Sequence, residues 1–282
     1  MNRRDFTLSL MAAFAGSSAL AQDRPGGVVS IGGSVTEIIF ALGAGNQLVA
    51  RDTTSTFPQA ATALPDVGYM RALSPEGVLS VDPALIVAEE GAGPPDTIAI
   101  LKAADVRFVS VPQRYTADGI ASKIRTVGKA IGARTKAEAL ADHVTTELAQ
   151  TVARSRNRTG TDKSVLFVLS TQGGRIMASG TGTAPAAMME MAGARNAITG
   201  FEGYKPLTDE AVIAAAPDVI LMMDRQGSHD SSPADLVALP SVAATPAGRT
   251  GAVIRMNGLY LLGFGPRTAY AVRDLHDALY GA

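Results

Sequence analysis

The chain contains no cysteine and no tryptophan, and only 3 of its 282 residues are histidine. The lack of Cys excludes disulfides, thiolate metal sites, iron–sulfur clusters and a lipid-bearing N-terminal Cys. His143, His229 and His276 are widely separated, which argues against a zinc or manganese site built from several histidines. Two of them, His143 and His276, fall in predicted helices, where we expect solvated surface positions.

Charged residues and catalytic motifs are also scarce. Charged side chains make up 18% of the chain and leave a net charge of −1, which argues against a nucleic acid as partner. No nucleophile elbow, Walker loop, paired-His metal motif or Cys–His pair is present. Hydrophobic residues reach 46%, which is typical of a globular protein. These absences predict a folded protein that is not an enzyme.

The N-terminus has the features of an export signal. Arg3 and Arg4 precede an apolar run over residues 8–20, and Ala19 and Ala21 form a small-x-small cleavage site. The arginine pair is similar to a twin-arginine signal, although a positively charged leader for the general export route fits equally well. No other stretch reaches the roughly 18 apolar residues needed to span a bilayer. We therefore expect a signal peptide over residues 1–21 and a periplasmic mature protein, since no Cys is available for acylation.

Two segments of the chain share one plan, 134 positions apart. Ser74 and Thr208 are each suited to cap a helix, and Glu76 and Glu210 each lie in the first turn. A Pro follows each Glu by seven residues, and a buried strand follows each Pro. This duplication predicts two similar lobes with a cleft between them and equivalent glutamates on both.

Strands alternate with helices along most of the chain, which indicates an α/β fold with parallel sheets. Apolar runs predict strands at residues 28–31, 48–51, 85–88, 106–110, 164–170, 219–223 and 252–256. Helices are expected near 186–191 and over 268–279, and capping boxes are expected at Ser34–Glu37 and Thr135–Glu138.

The middle of the chain shows no strand pattern. Leu140, Val144, Leu148 and Val152 continue one helical face, which predicts a stiff helix between the lobes. We therefore expect an N-terminal lobe over 22–116, a linking helical segment over 117–158 and a C-terminal lobe over 159–282. A rigid connection of this kind predicts a small rocking motion on ligand binding.

The most distinctive loop runs from Leu64 to Glu76 (LPDVGYMRALSPE). Loops at the carboxyl ends of parallel strands face the ligand crevice. Tyr69 and Arg71 would therefore present a phenol and a guanidinium together. A phenolate is a hard oxygen ligand for ferric iron, and a nearby Arg stabilises the ionised form. The chemistry alone favours the other interpretation, in which the loop Tyr packs on the fold and the Arg is a surface charge.

Several motifs together resemble those of periplasmic haem-binding proteins of bacterial haem ABC importers. The resemblance covers essentially the whole mature chain. It is carried by Pro65–Arg71, Gly203–Leu207, Gly258–Arg267, Ser34–Ile38 and Arg51–Thr56. It implies the class III binding-protein fold, in which two lobes on a long rigid helix enclose the ligand cleft. The cargo would be haem b.

The resemblance also implies roles for single residues. Tyr69 matches the axial tyrosine for haem iron, and Arg71 matches the Arg that stabilises its phenolate. Arg225 would face the cleft from the second lobe and bind a propionate, with a surface charge as the other interpretation. Arg51 and Tyr204 are further cleft candidates.

The paired glutamates and the histidines complete these expectations. Glu76 and Glu210 match the residues that dock such proteins onto permease arginines, although each also stabilises its helix dipole. Some relatives hold two stacked haems through a His near residues 170–174, a segment that here has none. We therefore expect one haem per protein, bound to a monomer, with His229 as a possible second iron ligand.

Two other classes of function stay open. A siderophore or corrinoid carrier could use the same scaffold, although the absence of Trp weakens a corrinoid platform and a siderophore would require grouped cations. A haem-dependent or hydrolytic enzyme would require an acid or base beside the iron, and the sequence shows none clearly.

Overall fold

A computed structural model of the chain describes residues 26–171, 175–224 and 232–281. The predicted export signal lies outside these residues, as do Arg225 and His229. Within the described residues, no helix is both long enough and apolar enough to cross a bilayer. The architecture consists of two sheets, each flanked by helices.

The first sheet is entirely parallel, as expected. Its strands are β1 (Val28–Ile31), β2 (Leu48–Arg51), β3 (Leu85–Glu89) and β4 (Arg107–Val111). They lie in the order β2-β1-β3-β4. This first lobe also contains three helices and two short 3₁₀ turns: α1 (Gly33–Ala41), α2 (Pro75–Leu79), α3 (Pro95–Ala103), Gly45–Gln47 and Gln59–Ala63.

Two consecutive helices connect the sheets. They are α4 (Ala117–Ala130) and α5 (Arg134–Arg156). The 23 residues of α5 extend about 34 Å at 1.5 Å per residue. The predicted stiff connection is confirmed, and α4 packs along α5 to brace it.

The second sheet is mixed, whereas the sequence predicts a purely parallel one. Its strands are β5 (Ser164–Ser170), β6 (Met177–Ser179), β7 (Arg195–Asn196), β8 (Tyr204–Pro206), β9 (Val219–Asp224) and β10 (Val253–Asn257). Strands β10, β9 and β5 are parallel, and β6 runs antiparallel to both β5 and β8. β7 pairs with the start of β5.

In the described part of the second lobe, seven helices accompany the second sheet. They are α6 (Ala184–Met191), α7 (Asp209–Ala215), α8 (Pro233–Val237), α9 (Pro240–Ala243), α10 (Pro246–Thr250), α11 (Gly258–Leu262) and α12 (Thr268–Tyr280). The prediction of a C-terminal helix is confirmed.

The duplicated unit is present in both lobes. Ser74 caps α2 by accepting from the Gly77 amide at 3.0 Å, and Thr208 caps α7 by accepting from Ala211 at 3.2 Å. Each helix then leads through a Pro into a buried parallel strand, β3 or β9. The internal repeat therefore corresponds to two equivalent helix–strand units.

The two predicted capping boxes are wrong. Ser34 lies inside α1, and neither α1 nor α5 has a side-chain cap. The Ser34 hydroxyl instead donates to Glu89, and Glu138 pairs with Arg125 at 2.5 Å. In both cases a partner distant in sequence competes for the side chain.

One apolar core continues from the first lobe into the second. It includes Val35 of α1, Val144 of α5, Phe167 of β5 and Val272 of α12, each at most 2% exposed. Burying one such side chain stabilises the fold by about 1.5–3 kcal/mol. The lobes are therefore joined by packing as well as by the chain connection.

Candidate functional site

The candidate site lies where the carboxyl ends of the parallel strands of both sheets meet. The loops after β2 and β4, together with α4, contact the segment that follows β10 in the other lobe. Strand ends of this type commonly carry ligand sites in α/β proteins. The cleft is therefore built from loops on a rigid scaffold.

Hydrogen bonds donated by backbone amides hold the Tyr69 loop on both sides of the tyrosine. The Gly68 amide donates to Asp66 Oδ1 at 2.8 Å, and Gly68 has φ = 102°, a conformation that requires Gly at this turn. After the tyrosine, Ala72 N donates to Tyr69 O and Gly93 N donates to Met70 O, both at 2.8 Å. Tyr69 is nevertheless 47% exposed, so a fixed backbone presents an open phenol.

Arg51 holds the start of this loop through Asp66. Its Nη1 pairs with Asp66 Oδ2 at 2.6 Å and donates to Asp52 O at 3.1 Å. The Arg51 side chain is only 13% exposed. This arrangement supports a structural role for Arg51 in fixing Asp66, and contact with a ligand stays a prediction.

The positive charge of Arg71 acts on two phenols from opposite lobes. Burial, followed by the charge of Glu89, raises the pKa of Tyr115, and the positive charge of Arg71 opposes this rise. Partial desolvation of Tyr204, which keeps 39% of its surface exposed, followed by the proximity of Tyr115, raises the pKa of Tyr204 to about 12, and Arg71 again opposes. Both phenols are therefore neutral hydrogen-bond donors at neutral pH.

Tyr69 and Arg71 form no hydrogen bond or ion pair with each other in the described part of the chain. The side chain of Arg71 is exposed, as are those of Tyr69 and Tyr204. The structure therefore brings Arg71 near Tyr115 and Tyr204, and its predicted action on the Tyr69 phenolate stays a prediction.

Sequence reasoning missed Tyr115, which follows β4. Its ring packs on Phe264 of the second lobe with centroids 5.1 Å apart. No motif marks this residue, because its partners are distant in sequence. The one available signal was its place directly after a predicted strand, which is where cleft residues are expected.

A buried ionic network also went unpredicted. Lys123 is fully buried and donates to Ser34 Oγ at 2.9 Å and to Gly263 O at 3.0 Å. Glu89 Oε2 lies 3.6 Å from Lys123 Nζ. A Lys on the apolar face of a predicted helix, beside Ile124 and Val127, was the signal that could have indicated it.

Close to this network, an ion pair connects the second lobe to α1. Arg267 binds Glu37 in bidentate fashion, at 3.0 Å through Nε and 2.8 Å through Nη2. Its guanidinium also lies 3.5 Å from the centre of the Phe57 ring. Arg267 belongs to the Gly258–Arg267 motif, to which the sequence assigned no role.

Glu76 and Glu210 are exposed in the first turns of α2 and α7. No ion pair involves either carboxylate within the described residues. Both are therefore free to contact a cationic partner.

The histidines contribute no metal cluster to the described residues, which contain no group of three or more metal-ligating side chains. His143 is exposed on α5, as predicted. The prediction that His276 is solvated is wrong, because its Nδ1 lies 2.9 Å from Ala192 O and its ring packs on Tyr280.

Comparisons with known proteins agree with this architecture. The sequence profile of a family described as periplasmic binding protein matches residues 28–258. The periplasmic heme-binding protein BhuT, solved in complex with two hemes, is 42% identical over 89% of this chain and 97% of its own, with a TM-score of 0.84. RhuT from Roseiflexus sp. RS-1, a periplasmic heme-binding protein in apo form, is 40% identical over 90% and 97%, with a TM-score of 0.86.

More distant relatives are also similar. A periplasmic heme-binding protein from Pseudomonas aeruginosa is 34% identical over 92% of this chain and 94% of its own, with a TM-score of 0.82. An uncharacterized ABC transporter substrate-binding lipoprotein of Bacillus subtilis is 28% identical over 71% of this chain, and the match spans 64% of its length. Vitamin B12-binding proteins of Yersinia are 28% identical over 72% of this chain and 71% of theirs.

Proposed function

Because the chain belongs to the periplasmic binding protein family, we propose that it binds ferric haem outside the cytoplasm through Tyr69 and delivers it to an inner-membrane ABC importer. The observation that carries this proposal is an open phenol on a rigid cleft loop, 47% exposed, in a chain 42% identical to a haem-binding protein. The role is binding and transfer, without catalysis.

The cleft supplies chemistry that suits haem. The Tyr69 phenolate would be a hard oxygen ligand for ferric iron. Arg71, two residues away on the same loop, is a cation that could pair with a propionate or with the bound phenolate. The neutral phenols of Tyr115 and Tyr204 can donate hydrogen bonds to a propionate. Arg225 is proposed as a further propionate partner, although it lies outside the described residues.

We propose one haem per protein. BhuT was solved with two hemes. In this chain residues 170–174 contain no His that could hold a second iron. His229 is a candidate sixth ligand to the same iron, and the spectrum of His229→Ala would show whether it binds.

Glu76 and Glu210 are proposed to dock the protein onto arginines of the permease. Support comes from their equivalent places on the two repeats and from their exposure. A monomer suits this role, because each binding protein must meet a permease alone. Export with cleavage near Ala21 completes the proposal, and N-terminal sequencing of the secreted protein tests it.

A corrinoid carrier is the second candidate, since vitamin B12-binding proteins are among the relatives at 28% identity. Haem is favoured because the haem-binding structures reach 34–42% identity over about nine-tenths of the chain.

Titration of the purified protein with haemin, followed by visible absorption, tests the function. We expect a saturable change that ends at one equivalent, whereas cyanocobalamin in the same range should leave its own spectrum unchanged. A breakpoint at two equivalents would correct the stoichiometry. Absence of saturable haemin binding, or saturable binding of cobalamin alone, would overturn the proposal.

A further inference from the structure

Five residues of the second lobe, Gly263–Arg267, make polar contacts with α1 and α4 near the cleft. Gly263 O accepts from the buried Lys123 of α4 at 3.0 Å. Four residues later, Arg267 binds both oxygens of Glu37 on α1. Both contacts cross from the second lobe to helices that pack on the first sheet, so this short segment fastens the lobes together.

The groups that meet this segment, Glu37 of α1 and Lys123 of α4, are buried, as is Glu89, which pairs with Lys123. Glu37 is 5% exposed, Glu89 is 8% exposed and Lys123 is fully buried. A buried charge that loses its partner is strongly destabilising, so these groups favour one arrangement of the lobes. A displaced second lobe would leave Glu37 without its countercharge.

The backbone approaches closely at the same place. A Cβ atom on Gly33 would lie 2.5 Å from Leu259 Cδ1 of the second lobe and 2.6 Å from Thr54 O. Phe264 adopts φ = 49°, a left-handed conformation that a Phe rarely adopts, and is 1% exposed. Contacts across the lobe boundary must hold that conformation in place.

The same segment contacts aromatic side chains at both edges of the first sheet. Phe264 packs against Tyr115, which follows the edge strand β4. Arg267 stacks on Phe57, which follows the opposite edge strand β2 and is 40% exposed. Two side chains of one segment thereby support the loops that follow both edge strands of the first sheet.

We propose that Gly263–Arg267 forms an inter-lobe seat that sets the width of the cleft before ligand arrives and positions Tyr115 and Phe57 along it. Lys123, Glu37 and Arg267 are then positioning residues: they act on the ligand through the aromatic side chains and the lobe orientation. In a preorganised cleft, little of the binding free energy is lost in fixing the lobes when the ligand binds. The seat should therefore raise the affinity for the ligand without contacting it. The effect on affinity rests on the proposed haem function, whereas the effect on cleft width does not.

The absence of Cys makes the test direct. Ala99→Cys on α3 and Ala214→Cys on α7 place one exposed label site on each lobe. Distances between spin labels are measured in ligand-free protein by pulsed electron spin resonance. The seat is perturbed by Arg267→Gln and, separately, by the milder Glu37→Gln. Arg125→Gln is the matched control, since it removes the surface pair with Glu138 and leaves the seat intact.

We expect a single narrow distance distribution in the labelled parent and in the Arg125→Gln control, and a broader one in both seat variants. Haemin should also dissociate about tenfold faster from the seat variants, which corresponds to about 1.4 kcal/mol. Unchanged distributions in both seat variants would overturn the proposal. Failure of the parent to bind haemin would overturn the haem function, and the distance measurement would still decide the role of the seat.

Discussion

Removal of the Lys123 charge should destabilise the protein more than most substitutions. Lys123→Met deletes the ammonium that lies 3.6 Å from Glu89 Oε2, leaving a carboxylate that is 8% exposed without a countercharge. Breaking a buried pair in this way costs about 3–5 kcal/mol. For a chain of this size, 1 kcal/mol shifts Tm by about 2–4 °C, so Tm should fall by about 6–20 °C.

A double-mutant cycle separates the charge from the packing. Glu89→Gln in the Lys123→Met background removes the unpaired charge and keeps an acceptor for the Ser34 hydroxyl. We expect the double variant to recover more than half of the loss, because a neutral pair carries a smaller desolvation penalty. Thermal unfolding followed by circular dichroism gives the Tm values. Additive effects of the two substitutions, within about 0.5 kcal/mol, would refute the assignment of this pair as a coupled buried interaction.

Lys123 also predicts the direction of a pH dependence. Burial lowers the pKa of Lys123, and the charge of Glu89 opposes this. At pH values between the lowered pKa of Lys123 in the folded protein and its usual pKa in the unfolded chain, the unfolded chain binds more protons. The free energy of unfolding therefore rises with pH in this range. The rise should be absent in Lys123→Met, whereas its persistence there would assign it to other groups.

Three further predictions concern single loops and surfaces. Asp66→Ala removes the acceptor of the Gly68 amide, worth about 0.5–1.5 kcal/mol, so hydrogen exchange at Gly68 should accelerate; unchanged exchange would show that Asp66 does not hold the loop. The pKa of Tyr204 is raised to about 12. In an alkaline titration followed by tyrosinate absorbance, Tyr204→Phe should therefore remove the absorbance of one tyrosinate from the range around pH 12. If the missing absorbance instead belongs to the range near pH 10, the desolvated environment assigned to Tyr204 would be wrong. Glu76→Ala combined with Glu210→Ala should abolish stimulation of the importer's ATPase and leave haemin binding intact, and loss of haemin binding would overturn their assignment to docking.

Local sequence patterns predict the regular elements well. The bounds of β1, β2 and β5 agree with the apolar runs that predict them, because a turn or polar segment ends each run. The caps at Ser74 and Thr208 are confirmed for the same reason, since a cap depends on residues three positions away. Short-range chemistry is sufficient in all these cases.

The short strands of the second sheet could not be predicted. β6, β7 and β8 have only 3, 2 and 3 residues, too few to show an alternating pattern. Their pairing with β5 and with each other depends on tertiary contacts. The sheet is therefore mixed where the repeat in the sequence suggests a parallel one.

The inter-lobe contacts escaped sequence reasoning for a related physical reason. Glu37 and Arg267 are 230 positions apart, and Lys123 and Gly263 are 140 apart. No local spacing encodes such pairs. The Tyr69 loop was identifiable because its phenol, its Gly and its Arg lie within four residues.

The most direct test of the central claim is the resonance Raman spectrum of the ferric haem complex. The proposed function predicts iron–tyrosinate vibrations in the parent protein and in Tyr204→Phe and Tyr115→Phe, and their loss in Tyr69→Phe. Tyrosinate vibrations that persist in Tyr69→Phe, or that vanish only when Tyr204 or Tyr115 is replaced, would show that another side chain binds the iron.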